Sequence, residues 1–168
     1  MIPIGCVRHD ARSTRSVLRS FDHQTPSDLA HLLRGLVRDH GASFQTRARF
    51  REGDEYNREL VHAAPGYEIW LLSWLPGQVT PIHDHGGALT VTTVLSGTVL
   101  EEHFERIHDL DVRPSWATLR EIGDIDPIDP LRIHRVRPMC KALTLHLYVP
   151  TFTDGQIYRT PAGTPTLS

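Results

Sequence analysis

Cysteine and lysine are both scarce in this chain. Cys6 and Cys140 are the two cysteines among 168 residues, and Lys141 is the single lysine. Two distant cysteines are too few for a disulfide framework and have the wrong spacing for a zinc ribbon, so the composition favours a reducing compartment. The preference for arginine over lysine is typical of a GC-rich bacterial genome.

Long apolar runs and blocks of like charge are lacking as well. No apolar run approaches the roughly 18 residues that a membrane helix needs, and residues 1–16 contain no hydrophobic segment of a signal peptide. The eighteen basic residues are spread along a chain of net charge −2, which disfavours binding to nucleic acid or to an anionic membrane. We therefore expect a cytoplasmic monomer that binds a small molecule.

The length fits one domain, residues 1–168, with a lead-in and helix over residues 1–50 and a β-barrel over 51–160. The helix is predicted from the segment Thr25-Pro26-Ser27-Asp28, which combines an N-cap candidate, a proline at the first helical position and an acid three residues after the cap. Apolar residues then follow at helical spacing from Leu29 to Val37, and Gly41 predicts the end of the helix.

From Tyr67 onward the pattern changes to short alternating or apolar runs that Gly and Pro interrupt. These runs are "YEIWLLSW", "LTVTTVLSG", "TVLEEHFE", "WATLREIG", "IHRVRP" and "ALTLHLYV". A succession of strands without interleaved helices predicts a mainly β protein, either an antiparallel sandwich or a small barrel.

The segment "PIHDHGG" (81–87) offers a candidate metal site. On a strand His83 and His85 point to the same side, with Asp84 turned away, so the two imidazoles can share one ion. A pair of hydrogen-bonded histidines near a turn is the alternative. The spacing from Gly77 through these histidines and Thr90 to Gly97 resembles the first signature motif of the cupin superfamily, which implies a small jelly-roll barrel.

Most cupins have a glutamate ligand where this chain has Thr90, and threonine is a poor metal ligand. A three-histidine site then requires another imidazole, and His134 in "RIHRV" (132–136) is the candidate. The alternative for His134 is pairing with Asp126 or Asp129. Three neutral imidazoles would leave a divalent ion its full charge and would suit a substrate that carries its own negative charge, such as a thiolate.

A second group of polar residues lies on the strand "ALTLHLYV". Thr144, His146 and Tyr148 share one face of this strand. That face is either exposed to solvent or lines the interior of a barrel. In the interior, a hydroxyl of Thr144 bonding one nitrogen of His146, whose other nitrogen meets the hydroxyl of Tyr148, would form a hydrogen-bonded relay.

Together "YNRELV" (56–61), "PIHDHGG", "RIHRV" and "TLHLYVPTF" (144–152) resemble the cysteine dioxygenase family of cupins. The resemblance implies non-haem Fe(II) bound by three histidines and a relay next to the metal. It also implies a cis peptide bond before Pro150. The implied metal ligands are His83, His85 and His134, and the implied relay residues are Thr144, His146 and Tyr148, with threonine in place of the usual serine.

The resemblance also bears on the substrate. Arg58 stands where cysteine-specific members have an arginine that binds the substrate carboxylate, and Tyr56 is expected to line the same pocket. A guanidinium can pair bidentately with a carboxylate, whereas pairing of Arg58 with Glu55 or Glu59 is the alternative. The cysteine that animal members join to the tyrosine is replaced by Thr90, so this cross-link cannot form.

These residues lead to the hypothesis of a dioxygenase that converts L-cysteine and O2 to cysteine sulfinic acid. Dioxygenation of another small thiol, such as 3-mercaptopropionate or cysteamine, would use the same chemistry. A non-catalytic metal-binding cupin module is the alternative from a different class. A zinc or manganese cupin enzyme would be favoured by a carboxylate ligand, which the motif lacks.

Overall fold

The computed structural model describes residues 24–153 and 155–164, so most of the predicted lead-in lies outside the described residues. Helix α1 (Pro26–Arg47) begins at the predicted cap: the backbone N–H of Asp28 donates to the Thr25 hydroxyl, and the carboxylate of Asp28 accepts from the backbone N–H of Thr25. The predicted end at Gly41 is wrong. Glycine inside a helix costs only about 1 kcal/mol, and the last turns bury Phe44 against the sheet.

Ten strands follow the helix in the described residues and form two five-stranded sheets. The strands are β1 (Asn57–Ala64), β2 (Tyr67–Trp74), β3 (Ile82–His83), β4 (Leu89–Ser96), β5 (Val99–His108), β6 (Asp111–Arg120), β7 (Ile125–Ile128), β8 (Ile133–Pro138), β9 (Ala142–Val149) and β10 (Ile157–Tyr158). The first sheet has the order β1-β2-β9-β4-β7 and the second the order β10-β3-β8-β5-β6. The neighbouring strands within each sheet are antiparallel. The mainly β prediction is confirmed.

Three apolar clusters hold the layers together. One lies between α1 and the outer face of the first sheet and includes Leu29, Leu33, Leu71 and Leu145. A second lies between the two sheets, around Trp74. The third covers the outer face of the second sheet, where the strand β10 returns. The members of this third cluster are Ile82, Phe104, Val112, Ile133 and Tyr158.

Strand alternation therefore directs one set of side chains into the space between the sheets. On β9 the leucines at 143, 145 and 147 join the helix cluster, which leaves Thr144, His146 and Tyr148 to face inward. The peptide bond between Val149 and Pro150 is cis, as the resemblance implies. Among the described helical residues, no helix is long and apolar enough to cross a membrane. The boundaries of a single domain over residues 1–168 stay a prediction.

Candidate metal centre

Two neighbouring strands of the second sheet bring His83, His85 and His134 together. His83 on β3 lies directly opposite His134 on β8, and His85 follows two residues later. One ring nitrogen from each histidine lies within 4.8 Å of the others. The ring centroids are 5.3 Å apart for His83 and His85, 4.7 Å for His83 and His134, and 4.9 Å for His85 and His134. These three side chains can share one ion.

The hydrogen bonds of the histidines leave nitrogens free for a metal. The Nδ1 of His83 lies 2.9 Å from the carbonyl oxygen of Pro81, and the Nδ1 of His134 lies 2.8 Å from Oε1 of Glu101. Both oxygens can only accept, so each Nδ1 carries the proton and each Nε2 keeps its lone pair. In the part of the chain that the structure describes, the buried His134 Nε2 and His85 Nδ1 have no hydrogen-bond partner. A bound cation would satisfy the Nε2 of His134.

The electrostatics of the site favour neutral imidazoles. Burial, and then the neighbouring His134, lowers the pKa of His83 to about 4 and that of His85 to about 2. Metal binding requires the unprotonated ring, so these histidines need not lose a proton at neutral pH. Among residues 24–153 and 155–164, the cluster of potential metal ligands contains no carboxylate. The donor set fits a divalent transition metal held by nitrogen.

Thr90 is not part of this cluster. It lies fully buried on β4, directly opposite Tyr148 on β9. Its hydroxyl is 3.4 Å from the carbonyl oxygen of Ala88. The Thr90 side chain therefore lies beside Tyr148 and is not a ligand of the candidate metal site.

The predicted relay on β9 is formed only in its first half. The hydroxyl of Thr144 lies 2.8 Å from Nε2 of His146 and accepts a 2.9 Å hydrogen bond from Nε1 of Trp74. The rings of His146 and Tyr148 stack with centroids 6.2 Å apart and an angle of 17°. In the described residues no hydrogen bond joins His146 to the Tyr148 hydroxyl, because the two parallel rings extend side by side from alternate positions of one strand.

Burial dominates the titration of this pair. It lowers the pKa of His146 to about 3, with Arg58 and the metal-site histidines acting in the same direction. Burial also raises the pKa of Tyr148 well above its ordinary value. At neutral pH His146 is therefore a neutral ring and Tyr148 keeps its proton, which makes the phenol a hydrogen-bond donor.

The three histidines open into one cavity of about 370 Å³, which His146 and Tyr148 also line. Tyr56 and Arg58 line it from the side of β1, and Tyr56 stacks on Trp74 with ring centroids 4.1 Å apart. The guanidinium carbon of Arg58 lies 4.9 Å from the centre of the Trp70 ring. The cavity thus combines a three-histidine cluster, a phenol and a guanidinium.

The alternative partners of Arg58 are engaged elsewhere. Glu59 pairs with Arg47 at 2.6 Å, and Glu55 pairs with Arg51 at 3.1 Å. Within the described ranges Arg58 has no ion pair with a carboxylate. Its charge is available to an anion in the cavity.

Phe152 and residues 155–157 flank one side of the cavity, and this was not predicted from the sequence. Phe152 packs against His85 and Tyr148, with ring centroids 6.0 and 5.2 Å away. Asp84, which points away from the metal site as predicted, accepts hydrogen bonds from the Gln156 backbone N–H at 2.9 Å and from the Tyr158 hydroxyl at 2.7 Å. Asp84, the central residue of the H-x-H motif, therefore holds residues 156–158 close to the histidines.

Glu101 is a second residue that the sequence interpretation missed. His134 bonds to Glu101, and neither Asp126 nor Asp129 is its partner. Burial alone would raise the pKa of Glu101, but the hydrogen bond from His134, together with His103 and Arg120, lowers it well below its ordinary range. The alternation of Glu101 and His103 on β5 was the available signal, since it places both on the inward face.

Comparison with known proteins yields a family and a fold. A family model described as "Cysteine dioxygenase type I" matches residues 18–160. The curated rat protein "Cysteine dioxygenase type 1" (Rattus norvegicus) is 31% identical over 104 residues, which cover 58% of this chain and 52% of that protein. The chain thus spans about half the length of the curated relatives it matches.

Two solved structures show the same fold at low identity. A Klebsiella pneumoniae protein with a double-stranded β-helix domain superposes with a TM-score of 0.56 at 18% identity, covering 68% of this chain and 88% of its own. A cupin superfamily protein from Desulfitobacterium hafniense superposes with a TM-score of 0.50 at 13% identity, covering 61% and 84%. The predicted cupin barrel is confirmed.

Proposed function

Because the chain belongs to the cysteine dioxygenase type I family, we propose that it is a thiol dioxygenase that oxidises L-cysteine to cysteine sulfinic acid. The metal would be a mononuclear non-haem Fe(II) held by His83, His85 and His134. The observation that carries the proposal is the three-histidine cluster in a cavity that also contains an unpaired guanidinium and a protonated phenol. The substrate, the iron and the roles of the side chains are parts of this proposal.

The cluster fits a divalent ion because His83 and His85 are neutral at pH 7 and the buried Nε2 of His134 lacks another partner among the described residues. An Fe(II) ion in this site would lower the pKa of a thiol bound to it and would supply the redox chemistry that O2 requires. With neutral ligands, the positive charge of the site would favour a thiolate.

Arg58 would bind the carboxylate of the substrate. A guanidinium pairs with a carboxylate through two parallel hydrogen bonds, and such charge-assisted bonds contribute about 1.5–3 kcal/mol each. Stacking on Trp70 limits the positions of the guanidinium at the wall of the cavity. The guanidinium would then select for thiols that carry a carboxylate.

Tyr148 would donate a hydrogen bond to the substrate or to an oxygen atom of the reacting dioxygen. Its raised pKa keeps the proton on the phenol at neutral pH. The Thr144 hydroxyl holds the imidazole of His146 beside it. Because these rings stack, His146 would position Tyr148 through contact and not through a hydrogen bond.

The reaction balances without a further reductant. The thiol sulfur forms two bonds to oxygen and is oxidised by four electrons, while one O2 molecule accepts those four electrons and both its atoms enter the product. No 2-oxoglutarate or external electron donor is required. The co-substrates are L-cysteine and O2.

Oxygen uptake by the Fe(II)-loaded protein tests the proposal. Addition of L-cysteine is expected to consume one O2 per thiol and to yield a product two oxygen atoms heavier by mass spectrometry. Preference for cysteamine, which has no carboxylate, would keep the dioxygenase chemistry and contradict the proposed role of Arg58. Preference for 3-mercaptopropionate, which has one, would contradict only the choice of L-cysteine as the substrate. Absence of uptake with any thiol, despite bound iron, would support a non-catalytic metal-binding module.

A further inference from the structure

The third histidine of the cluster is held from behind by a buried carboxylate. Glu101 on β5 is 3% exposed, and its Oε1 accepts a 2.8 Å hydrogen bond from Nδ1 of His134. Its Oε2 accepts from Nε and Nη2 of Arg120, at 3.0 and 2.9 Å. Both carboxylate oxygens are therefore engaged, so the carboxylate cannot rotate away from His134 without breaking its bonds to Arg120.

A second acid and a second guanidinium complete the group and join the two sheets. Asp126 on β7 lies 2.8 Å from Arg120 and 2.7 Å from Arg132. Arg132 also lies 3.5 Å from Oε1 of Glu101. Two acids and two arginines balance in charge, which offsets part of the cost of burying Glu101. We call these four residues the Glu101 cluster.

The three histidines differ in what supports them. A neutral backbone carbonyl accepts from His83, an anionic carboxylate accepts from His134, and Nδ1 of His85 has no partner among the described residues. A carboxylate behind an imidazole fixes its tautomer and its orientation and increases the basicity of the opposite nitrogen. Of the three, His134 is the one with such a partner.

We propose that Glu101 is a positioning residue for the metal site: it fixes the tautomer and the orientation of the His134 ring, so that Nε2 is the nitrogen left for the metal. The rest of the Glu101 cluster keeps Glu101 in that orientation: Arg120 and Arg132 contact its carboxylate, and Asp126 contacts both arginines. This inference rests on the proposed function in one respect, namely that the three histidines bind a metal.

The adjacent glutamate provides a matched control. Glu102 is also buried, at 5% exposed, and accepts two hydrogen bonds from Arg135, at 2.8 and 3.0 Å. Strand alternation points it to the opposite face of the sheet, and it makes no hydrogen bond to a ligand histidine. The substitution E102Q therefore removes a buried, arginine-paired charge without touching the metal site.

The test is Co(II) binding to the metal-free wild-type protein and to the variants E101Q, E102Q and H134A, measured by competition with a chelator. We expect E101Q to lower Co(II) affinity about 10- to 100-fold and to shift the visible d–d spectrum of the bound ion. E102Q should leave both the affinity and the spectrum unchanged. Near-ultraviolet circular dichroism of each metal-free variant verifies that it is folded. If E101Q leaves the buried arginines with an unbalanced positive charge and fails to fold, the double variant E101Q/R120Q replaces it, because that pair removes both charges.

The outcomes separate this inference from the proposed function. A folded Glu101 variant that binds Co(II) with wild-type affinity and spectrum would overturn the positioning role and leave the metal site standing. An equal loss of affinity in E101Q and E102Q would also overturn it, since the effect would then follow from the loss of any buried negative charge on this strand and not from the bond to His134. If the wild-type protein and H134A both fail to bind Co(II), the proposed function fails at its metal site.

Discussion

Both faces of strand β9 are buried, but one face carries apolar side chains and the other carries polar ones. Leu143, Leu145 and Leu147 point toward α1 and are at most 1% exposed. Thr144, His146 and Tyr148 point between the sheets and are 3%, 9% and 5% exposed. One strand therefore contributes to a core on one side and to the candidate site on the other.

The difference lies in what each face requires. Burying a leucine stabilises the fold by about 1.5–3 kcal/mol and needs only a complementary shape around it. A buried hydroxyl or imidazole costs free energy unless it has a partner, and Thr144 finds partners in Trp74 and His146. Substitutions on the outer face should therefore change stability, and substitutions on the inner face should change chemistry.

The largest effect on stability is expected from Leu145→Ala. Leu145 is fully buried between α1 and the first sheet, so its loss should lower the free energy of unfolding by about 2–5 kcal/mol. Urea unfolding measures this change. Leu119→Ala, at a leucine that is 49% exposed, is the control and should stay within about 0.5 kcal/mol of wild type. A large loss of Co(II) affinity in the folded Leu145 variant would contradict the separation of the two faces.

The inner face should give the opposite result with Tyr148→Phe. In the described structure the phenol makes no hydrogen bond within the protein, so stability should change by less than about 1 kcal/mol. Turnover of L-cysteine should fall about 100-fold, because a donor directed at the reacting atoms is lost. Steady-state oxygen uptake checks the rate, and urea unfolding checks the stability. Wild-type turnover would remove Tyr148 from the proposed chemistry.

The sequence sufficed to predict the outline of the fold because its local signals agree with the tertiary structure. The capping residues before Pro26 mark the start of α1, and alternation marks most of the strands. The end of the helix was not predictable from Gly41 alone. Whether a glycine ends a helix depends on what the following residues bury, and here Phe44 packs against the sheet.

The candidate site was predictable where its residues are close in sequence and less so where they meet only in space. His83 and His85 share a motif, and the relay residues share one strand. Glu101 lies 33 residues before His134, and nothing in local spacing joins them until β5 pairs with β8. The missing bond between His146 and Tyr148 depends on ring orientation, which alternation along a strand does not determine.

Arg58 extends the comparison to β1, where a moderate effect on substrate binding is expected. Arg58→Gln should raise the KM for L-cysteine about 10- to 100-fold, since a charge-assisted pair with the carboxylate is replaced by a neutral contact. Any oxidation of cysteamine, which has no carboxylate, should be unaffected by the same change. Steady-state kinetics with both thiols provide the measurement. An equal effect on both substrates would show that Arg58 acts on the shape of the cavity and not on the carboxylate.

The smallest effect is expected from Thr144→Ser, paired with Thr144→Val. Serine keeps the hydroxyl that accepts from Trp74 and bonds His146, so turnover should be unchanged and the lost methyl group should cost about 1 kcal/mol of stability. Valine keeps the volume but leaves the buried indole N–H of Trp74 and a nitrogen of His146 unsatisfied, which should cost about 1–3 kcal/mol and lower turnover. Urea unfolding and oxygen uptake on both variants decide the matter. If valine were tolerated as well as serine, the hydroxyl at position 144 would not be required. The side chain would then contribute only its volume, as the leucines on the opposite face do.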